Sequence, residues 1–264
     1  MNPWHAHPVP ATRVEALYGD RIVRCFVYRP AGLLPMFERA RAARGSHEAI
    51  VHEDRRWSYA EAGAEADRLA AGFAARGIGA GDRVLMLLSN RPEFLFVLLA
   101  LQRLGAIAVP VGIREARPGL AFIAGQCGAI GIVFDDALVD RVPLPDEAPA
   151  LALRLAASDL AALARAGVPA PRAAERLETD TAVILYTSGT TGMPKGAELS
   201  HSNLMMNAIA SVAMTHLNSH DVSLVALPLF HSFGQSVQMN AVAASGGSMV
   251  LLPRFESEAA MKAM

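Results

Sequence analysis

Between Tyr186 and Gly196 the chain reads YTSGTTGMPKG, which sets four Ser or Thr hydroxyls, three glycines and one lysine in one short stretch. Glycine lets a backbone approach an oxyanion without interference from Cβ, and consecutive N–H groups in such a turn form a concavity that suits it. Thr187, Ser188, Thr190 and Thr191 add hydroxyl donors. Lys195 adds a mobile cation able to follow charge on a leaving group. Hydroxyls alone would suit many guests; the lysine tilts the pattern toward a polyphosphate.

Three familiar loops do not fit. A Walker A loop needs lysine directly after glycine and a Ser or Thr directly after lysine, whereas Pro194 precedes Lys195 and Gly196 follows it. The dinucleotide pattern G-x-G-x-x-G is not matched, and the hydrolase elbow G-x-S-x-G would need a glycine where Tyr186 stands. A polar Gly/Thr surface turn is common. This one, however, directly follows TAVIL, the apolar run of a buried strand.

Other residues could take part. His231 lies in LPLFHSFG, Leu227 to Gly234, between Phe230 and Phe233. His201 follows ELS, where Ser200 and Asn203 are spaced to cap the next helix, so a supporting role is expected there rather than catalysis. His216 and Asp221 match H-x-x-x-x-D, but in a Ser/Asn-rich turn such a pair arises by chance. The stretch MMNAIASVAM reads as core packing, since Met205 and Met206 cannot share one helix face.

The elements that must position these residues alternate between short β-rich runs and helical patterns from about residue 50 onward, the signature of βαβ units around a mainly parallel sheet. Ser58 and Glu61 are spaced as a capping box, and Ala62, Ala66, Leu69, Ala70 and Phe73 line one helix face that stops at Gly77. GDRVLMLL follows as a turn and a buried strand. NRPEFLFVLLALQRLG is a helix expected to be capped by Asn90 and closed by Gly105. AIAVPV, a helix around Arg117 to Cys127, and AIGIVFDD complete the pattern. From Arg141 to Glu178 the chain is rich in Ala, Pro and Arg, with one helical stretch near Ser158 to Ala166 and no expected core strand. After it come the strand TAVILYTSG, the helix HSNLMMNAIASVAMT, the strand VSLVALP, the helix QSVQMNAVAASG and the strand SMVLLP. Trp57 and Tyr59 are expected to pack the first lobe.

Composition narrows the class. With 52% hydrophobic and 19% charged residues, 264 residues can bury a sizeable core. A formal net charge of −1 provides no global field for nucleic acid or an anionic membrane. Cys25 and Cys127 stand apart from each other and from any His cluster, which speaks against a disulfide framework or a zinc site. The first residues do not read as a secretory signal, and the greasy region Val84 to Gly112 is broken by polar residues, so a cytoplasmic protein without an integral membrane segment is expected.

YTSGTTGMPKGAELSH resembles the phosphate-loop signature of the adenylate-forming, AMP-binding superfamily, which includes acyl-CoA synthetases and fatty-acid-CoA ligases. LPLFHSFG is similar to the aromatic/His segment that borders the acyl pocket in that family. WSYAEAGAEADRLAAGFAARGIGAGDRVLMLLSNRPEFLFVLLALQRLGAIAVPV resembles its first lobe. The likeness spans about residues 30 to 255, and PLFHSFG resembles acyl- and aryl-CoA ligases more than amino-acid-activating domains.

The resemblance implies an α/β fold: the parallel-sheet βαβ lobes of an acyl-CoA-synthetase-like large N-terminal domain, truncated. An N-terminal extension over 1–29, a first lobe over 30–177 with a variable connection near its end, and the start of a second lobe over 178–264 are expected. It implies that a carboxylic acid, fatty or aryl, attacks the α-phosphate of Mg-ATP and is passed from AMP to coenzyme A. ATP, Mg2+ and coenzyme A are then the cofactors, with Thr187, Ser188, Gly189, Thr190, Thr191, Gly192 and Lys195 cradling phosphate and Thr191 toward the metal. Lys195 and His231 become the catalytic candidates, and Phe230, His231, Phe233 and Gly234 the acid-binding ones. The family's Tyr-Gly-x-Thr-Glu and Thr-Gly-Asp segments, hinge and late lysine have no counterpart in these residues, and a parent about twice as long is expected. A non-catalytic remnant that binds nucleotide, anion or a protein partner is the alternative, with self-association through exposed core.

Overall fold

Ser58 and Glu61 form the reciprocal capping box that their spacing predicts: the Ser58 side chain accepts from the Glu61 amide, and the Glu61 carboxylate accepts from Ser58 N. In the computed structural model, residues 10–164, 168–187 and 194–263 are described. In chain order they form β1 (Thr12–Tyr18), β2 (Arg21–Phe26), α1 (Leu33–Arg44), β3 (Glu48–His52), β4 (Arg55–Ser58), α2 (Tyr59–Ala74), β5 (Arg83–Leu87), α3 (Pro92–Leu104) and β6 (Ile107–Pro110). There follow α4 (Arg117–Cys127), β7 (Ala129–Phe134), β8 (Leu153–Ala156), α5 (Leu160–Ala164), β9 (Thr181–Thr187), β10 (Lys195–Ser200), α6 (His201–Thr215) and β11 (Val222–Val225). A π-helix (Phe233–Asn240), α7 (Ala241–Ser245), β12 (Ser248–Leu251) and α8 (Ser257–Ala263) complete the described chain.

A six-stranded sheet runs β10-β9-β6-β5-β7-β8, and a four-stranded sheet runs β11-β12-β3-β4. β5, β6, β7, β8 and β9 are parallel, as the alternation of strand and helix predicts. Side chains alternate across β5. Val84 and Met86 enter the large core with α1, α2, α3 and α6, whereas Leu85 and Leu87 enter a second core with Leu120 and Ile123 of α4. Both faces of the sheet are therefore covered, which explains the nearly continuous apolar run of β5. α2 packs on α3 and also reaches β3 and β4, so this helical pair lies between the sheets.

Several expectations change. The Ala/Pro/Arg-rich connection does contain a core strand: β8 adds to β7 with Leu155 buried. Its four residues are too few for periodicity to reveal. β10 is antiparallel to β9, at the sheet edge, and its mostly exposed KGAELS carries no strand alternation. α2 ends at Ala74, before Gly77, which has a positive φ of 83°. Position 177/178 does not separate the sheets. β9 and β10 join the sheet of β5 to β8, while β3 and β4 join that of β11 and β12. Trp57 and Tyr59 pack on rings of the first lobe as expected, Trp57 against Phe96 and Tyr59 against Phe37, while Tyr59 Oη also donates to Gly247 O at 2.6 Å.

Candidate active site

Because β5, β6, β7 and β9 are parallel, the segments that follow them leave the sheet at one edge. Ser89-Asn90, Gly112 and Asp135 follow their strands there, and Thr187 ends β9 there. β6 and β7 flank β5 on opposite sides, so the chain changes direction across the sheet at β5. The crevice outside such carboxyl ends is the natural ligand site of an open parallel sheet.

Thr187 ends β9 and is exposed; the chain returns as β10 with Lys195 directly opposite it. The lysine is thus brought back to the start of the glycine stretch by strand pairing. Ser188, Gly189, Thr190, Thr191 and Gly192, expected to cradle phosphate, lie outside the described residues. Gly196 pairs with Tyr186, and a Cβ there would sit 3.0 Å from both the Tyr186 ring and Ile184. Only glycine fits without displacing that ring. Burial first, then Cys127, pushes the Tyr186 hydroxyl up to about 12, so it stays protonated at neutral pH.

The base of this β9–β10 hairpin is gripped by the residues expected to be an extension. β1 and β2 form an antiparallel hairpin, and Arg29, whose side chain is 7% exposed, holds Glu15 of β1 and Glu178 ahead of β9. Its guanidinium makes two bonds to each carboxylate, all at 2.7–2.8 Å. Arg29, and after it Arg13, pull the Glu15 carboxyl down to about 2. At the far end of β10, Tyr18 Oη lies 2.7 Å from Ser200 Oγ and accepts from Asn203 Nδ2. Ser200 and Asn203 form the expected capping box of α6. His201, the first residue of α6, is buried with no partner for Nδ1 among the described residues.

His231 reaches the same edge from the other sheet. Asn90 does not cap α3: Arg91 takes that position without a side-chain bond, and Pro92 starts the helix. Asn90 is instead 3% exposed, and its amide donates to Leu227 O at 2.9 Å and Leu252 O at 3.1 Å while accepting from Leu229 N at 2.9 Å. Phe230 lies against Gly112, with ring atoms 3.5 Å from where a Cβ would stand. His231 is exposed; Phe233 N donates to its Nδ1, which leaves the proton of the neutral ring on Nε2. Phe233 is half exposed and Gly234 is buried. A Cβ on Gly234 would stand 2.3 Å from Pro228 O, so this glycine closes the loop upon itself.

The π-helix that follows carries Gln235, fully buried, with neither amide atom partnered among the described residues. Extended π-helix is rare and marks functional positions more often than chance allows. Among the described residues no group of three or more His, Cys, Asp or Glu could hold a metal ion. None of the described helices is long and apolar enough to cross a membrane. Asn90 and the Arg29 clamp escaped the sequence reading. A polar residue ahead of an apolar helix has an ordinary local explanation, and nothing local links residue 29 to residue 178.

A family model described as AMP-binding enzyme matches residues 37–264. This chain belongs to the AMP-binding enzyme family. Among its relatives, the indoleacetate–CoA ligase of Aromatoleum aromaticum is 34% identical over 82% of this chain and 44% of the relative. The feruloyl-CoA synthase of an Amycolatopsis species is 33% identical over 82% of this chain and 43% of the relative. The apo structure of Mycobacterium smegmatis MbtA superposes with a TM-score of 0.83 at 32% identity, over 89% of this chain and 46% of that one. The chain thus spans less than half the length of these relatives.

Proposed function

We propose that this chain is the phosphate- and acid-binding part of an acid–thiol ligase that activates a carboxylic acid with ATP and passes it to coenzyme A. The carrying observation is convergence. A lysine returned beside Thr187 at the end of β9 and an aromatic/His loop held by Asn90 after β5 and lying against Gly112 after β6 stand at one carboxyl edge of the sheet. The names of the relatives, a ligase and a synthase forming CoA esters, support the same chemistry.

In the first step a carboxylate oxygen bonds to the α-phosphorus, the bond to the bridging oxygen breaks, and pyrophosphate leaves. In the second, the thiol sulfur bonds to the acyl carbon, AMP departs with the mixed-anhydride oxygen, and the thiol proton goes to solvent. In-line displacement at phosphorus asks a protein for positioning and charge neutralisation above all. Thr187, the 188–192 segment and Lys195 would hold the phosphates, with Lys195 following charge onto pyrophosphate. Mg2+ supplies further neutralisation when bound, with the Thr191 hydroxyl as its proposed contact. Phe230 and Phe233 would offer aromatic faces to the acid, which favours an aryl acid over a fatty one, with Gly234 shaping the loop that carries them. His231 meets the carboxylate and the path of the thiol. A cytoplasmic location accords with both co-substrates.

The test starts from the native polypeptide, its mass fixed by immunoblot and C-terminal mass spectrometry. ATP–pyrophosphate exchange is then measured with aryl and fatty acids, followed by CoA-ester formation. Exchange that depends on an aryl acid is the expected result. ATP binding without exchange for any acid would overturn the ligase reading in favour of a non-catalytic nucleotide-binding role.

A further inference from the structure

One carboxamide joins the ends of three elements at the proposed crevice. Asn90 follows β5, Leu252 follows β12, and Leu227 and Leu229 belong to the segment leaving β11. The Asn90 side chain spends both of its N–H donors on Leu227 O and Leu252 O and its oxygen on Leu229 N. Leu229 is itself 1% exposed, so its amide has no ready exchange partner in water. Phe230 and His231 are the next two residues. The Asn90 side chain also fits this place chemically: Asp would turn an oxygen toward two carbonyl oxygens, and Leu would leave three polar backbone groups without their partner.

We propose that Asn90 is a positioning residue. It fixes the backbone of 227–229 against both sheets and thereby sets Phe230 against Gly112 and His231 at the crevice mouth. The loop has few other tethers of this kind: His231 N bonds Pro228 O, and Gln235 N bonds His231 O, both within the loop and the π-helix. Asn90 supplies the bonds that cross from the first sheet. The role in acid binding rests on the ligase reading above; the backbone restraint does not.

Two variants test it on the full chain. Asn90→Leu keeps the volume and removes all three bonds, whereas Asn90→Asp keeps the acceptor for Leu229 N and removes both donated bonds. Hydrogen exchange followed by mass spectrometry is expected to show peptides covering 227–234 exchanging about tenfold faster in Asn90→Leu, as for loss of a buried hydrogen bond. Peptides from α2 and β9 should keep wild-type protection. In Asn90→Asp, Leu229 should retain protection that Asn90→Leu loses. In the exchange assay, KM for the acid should rise by more than KM for ATP in both variants, a split that general destabilisation would not produce. Wild-type protection of 227–234 in both variants would overturn the proposal, as would equal loss of protection across the whole chain. If the wild-type protein activates no acid, the ligase reading fails and hydrogen exchange still decides whether Asn90 holds the loop.

Discussion

Thr187 and Lys195 are cross-strand partners: the last residue of β9 faces the first residue of β10 in an antiparallel ladder. The two residues with hydroxyl and cation at the ends of the glycine stretch are therefore neighbours in space. Their placement depends on backbone pairing, in which Gly196 makes room for the Tyr186 ring. Strand pairing holds Thr187 and Lys195 together independently of any ligand.

Lys195→Ala removes charge at an exposed strand end. Unfolding stability should change by no more than about 0.5 kcal/mol. Acid-dependent ATP–pyrophosphate exchange should fall roughly 10²-fold, the usual scale for losing one preorganised electrostatic contact to a transition state. Exchange at the wild-type rate would remove Lys195 from the phosphate site.

Gly234→Ala forces a methyl group toward Pro228 O, which stands 2.3 Å from the ideal Cβ position. Because the obstacle is backbone, the loop itself must shift. A loss of about 1–3 kcal/mol in urea unfolding is expected, the usual cost of overpacking. A wild-type midpoint would show that the loop closes differently.

His201 predicts a pH dependence. Burial holds its imidazole below the ordinary histidine value of 6.5; the charge of Arg176 adds to this and that of Asp180 opposes it. The unfolded chain therefore takes up a proton at higher pH than the folded one. Stability from this residue is complete above about pH 6.5 and lost as the pH falls, by at most about 1.4 kcal/mol per unit. His201→Gln should flatten the urea midpoint between about pH 6.5 and pH 5 relative to wild type. Parallel pH curves for the two proteins would contradict the assignment.

Arg29→Met should release the β1–β2 hairpin from Glu178. Limited proteolysis is expected to cut residues 10–29 faster than in wild type, with a lower urea midpoint. The Glu15 carboxyl, held near 2 by Arg29 and then Arg13 against an ordinary 4.5, contributes stability above about 4.5 that is lost as the pH falls toward 2. The variant should lose most of this acid sensitivity. Unaltered cleavage would mean that the hairpin is docked by other contacts.

Much of this molecule is legible along the chain. Capping boxes at Ser58 and Ser200, the C-terminal glycine at Gly105, and the apolar faces of α2 and β5 all rest on contacts within a few residues of each other. Local chemistry decides them, and the phosphate-loop string identified the family for the same reason. Tertiary structure decided the rest. β8 and β10 are edge strands, the one only four residues long and the other mostly exposed, so no local period marks them. Arg29 meets Glu178, and Tyr18 meets Ser200, only because the sheets bring them together. Asn90 carries the lesson furthest. Its side chain could have capped a helix had α3 begun one residue earlier, but Arg91 takes the cap ahead of Pro92, and the Asn90 carboxamide instead meets Leu227 O, Leu252 O and the buried amide of Leu229. Hydrogen-bond demand in the folded interior, invisible along the chain, chose between them.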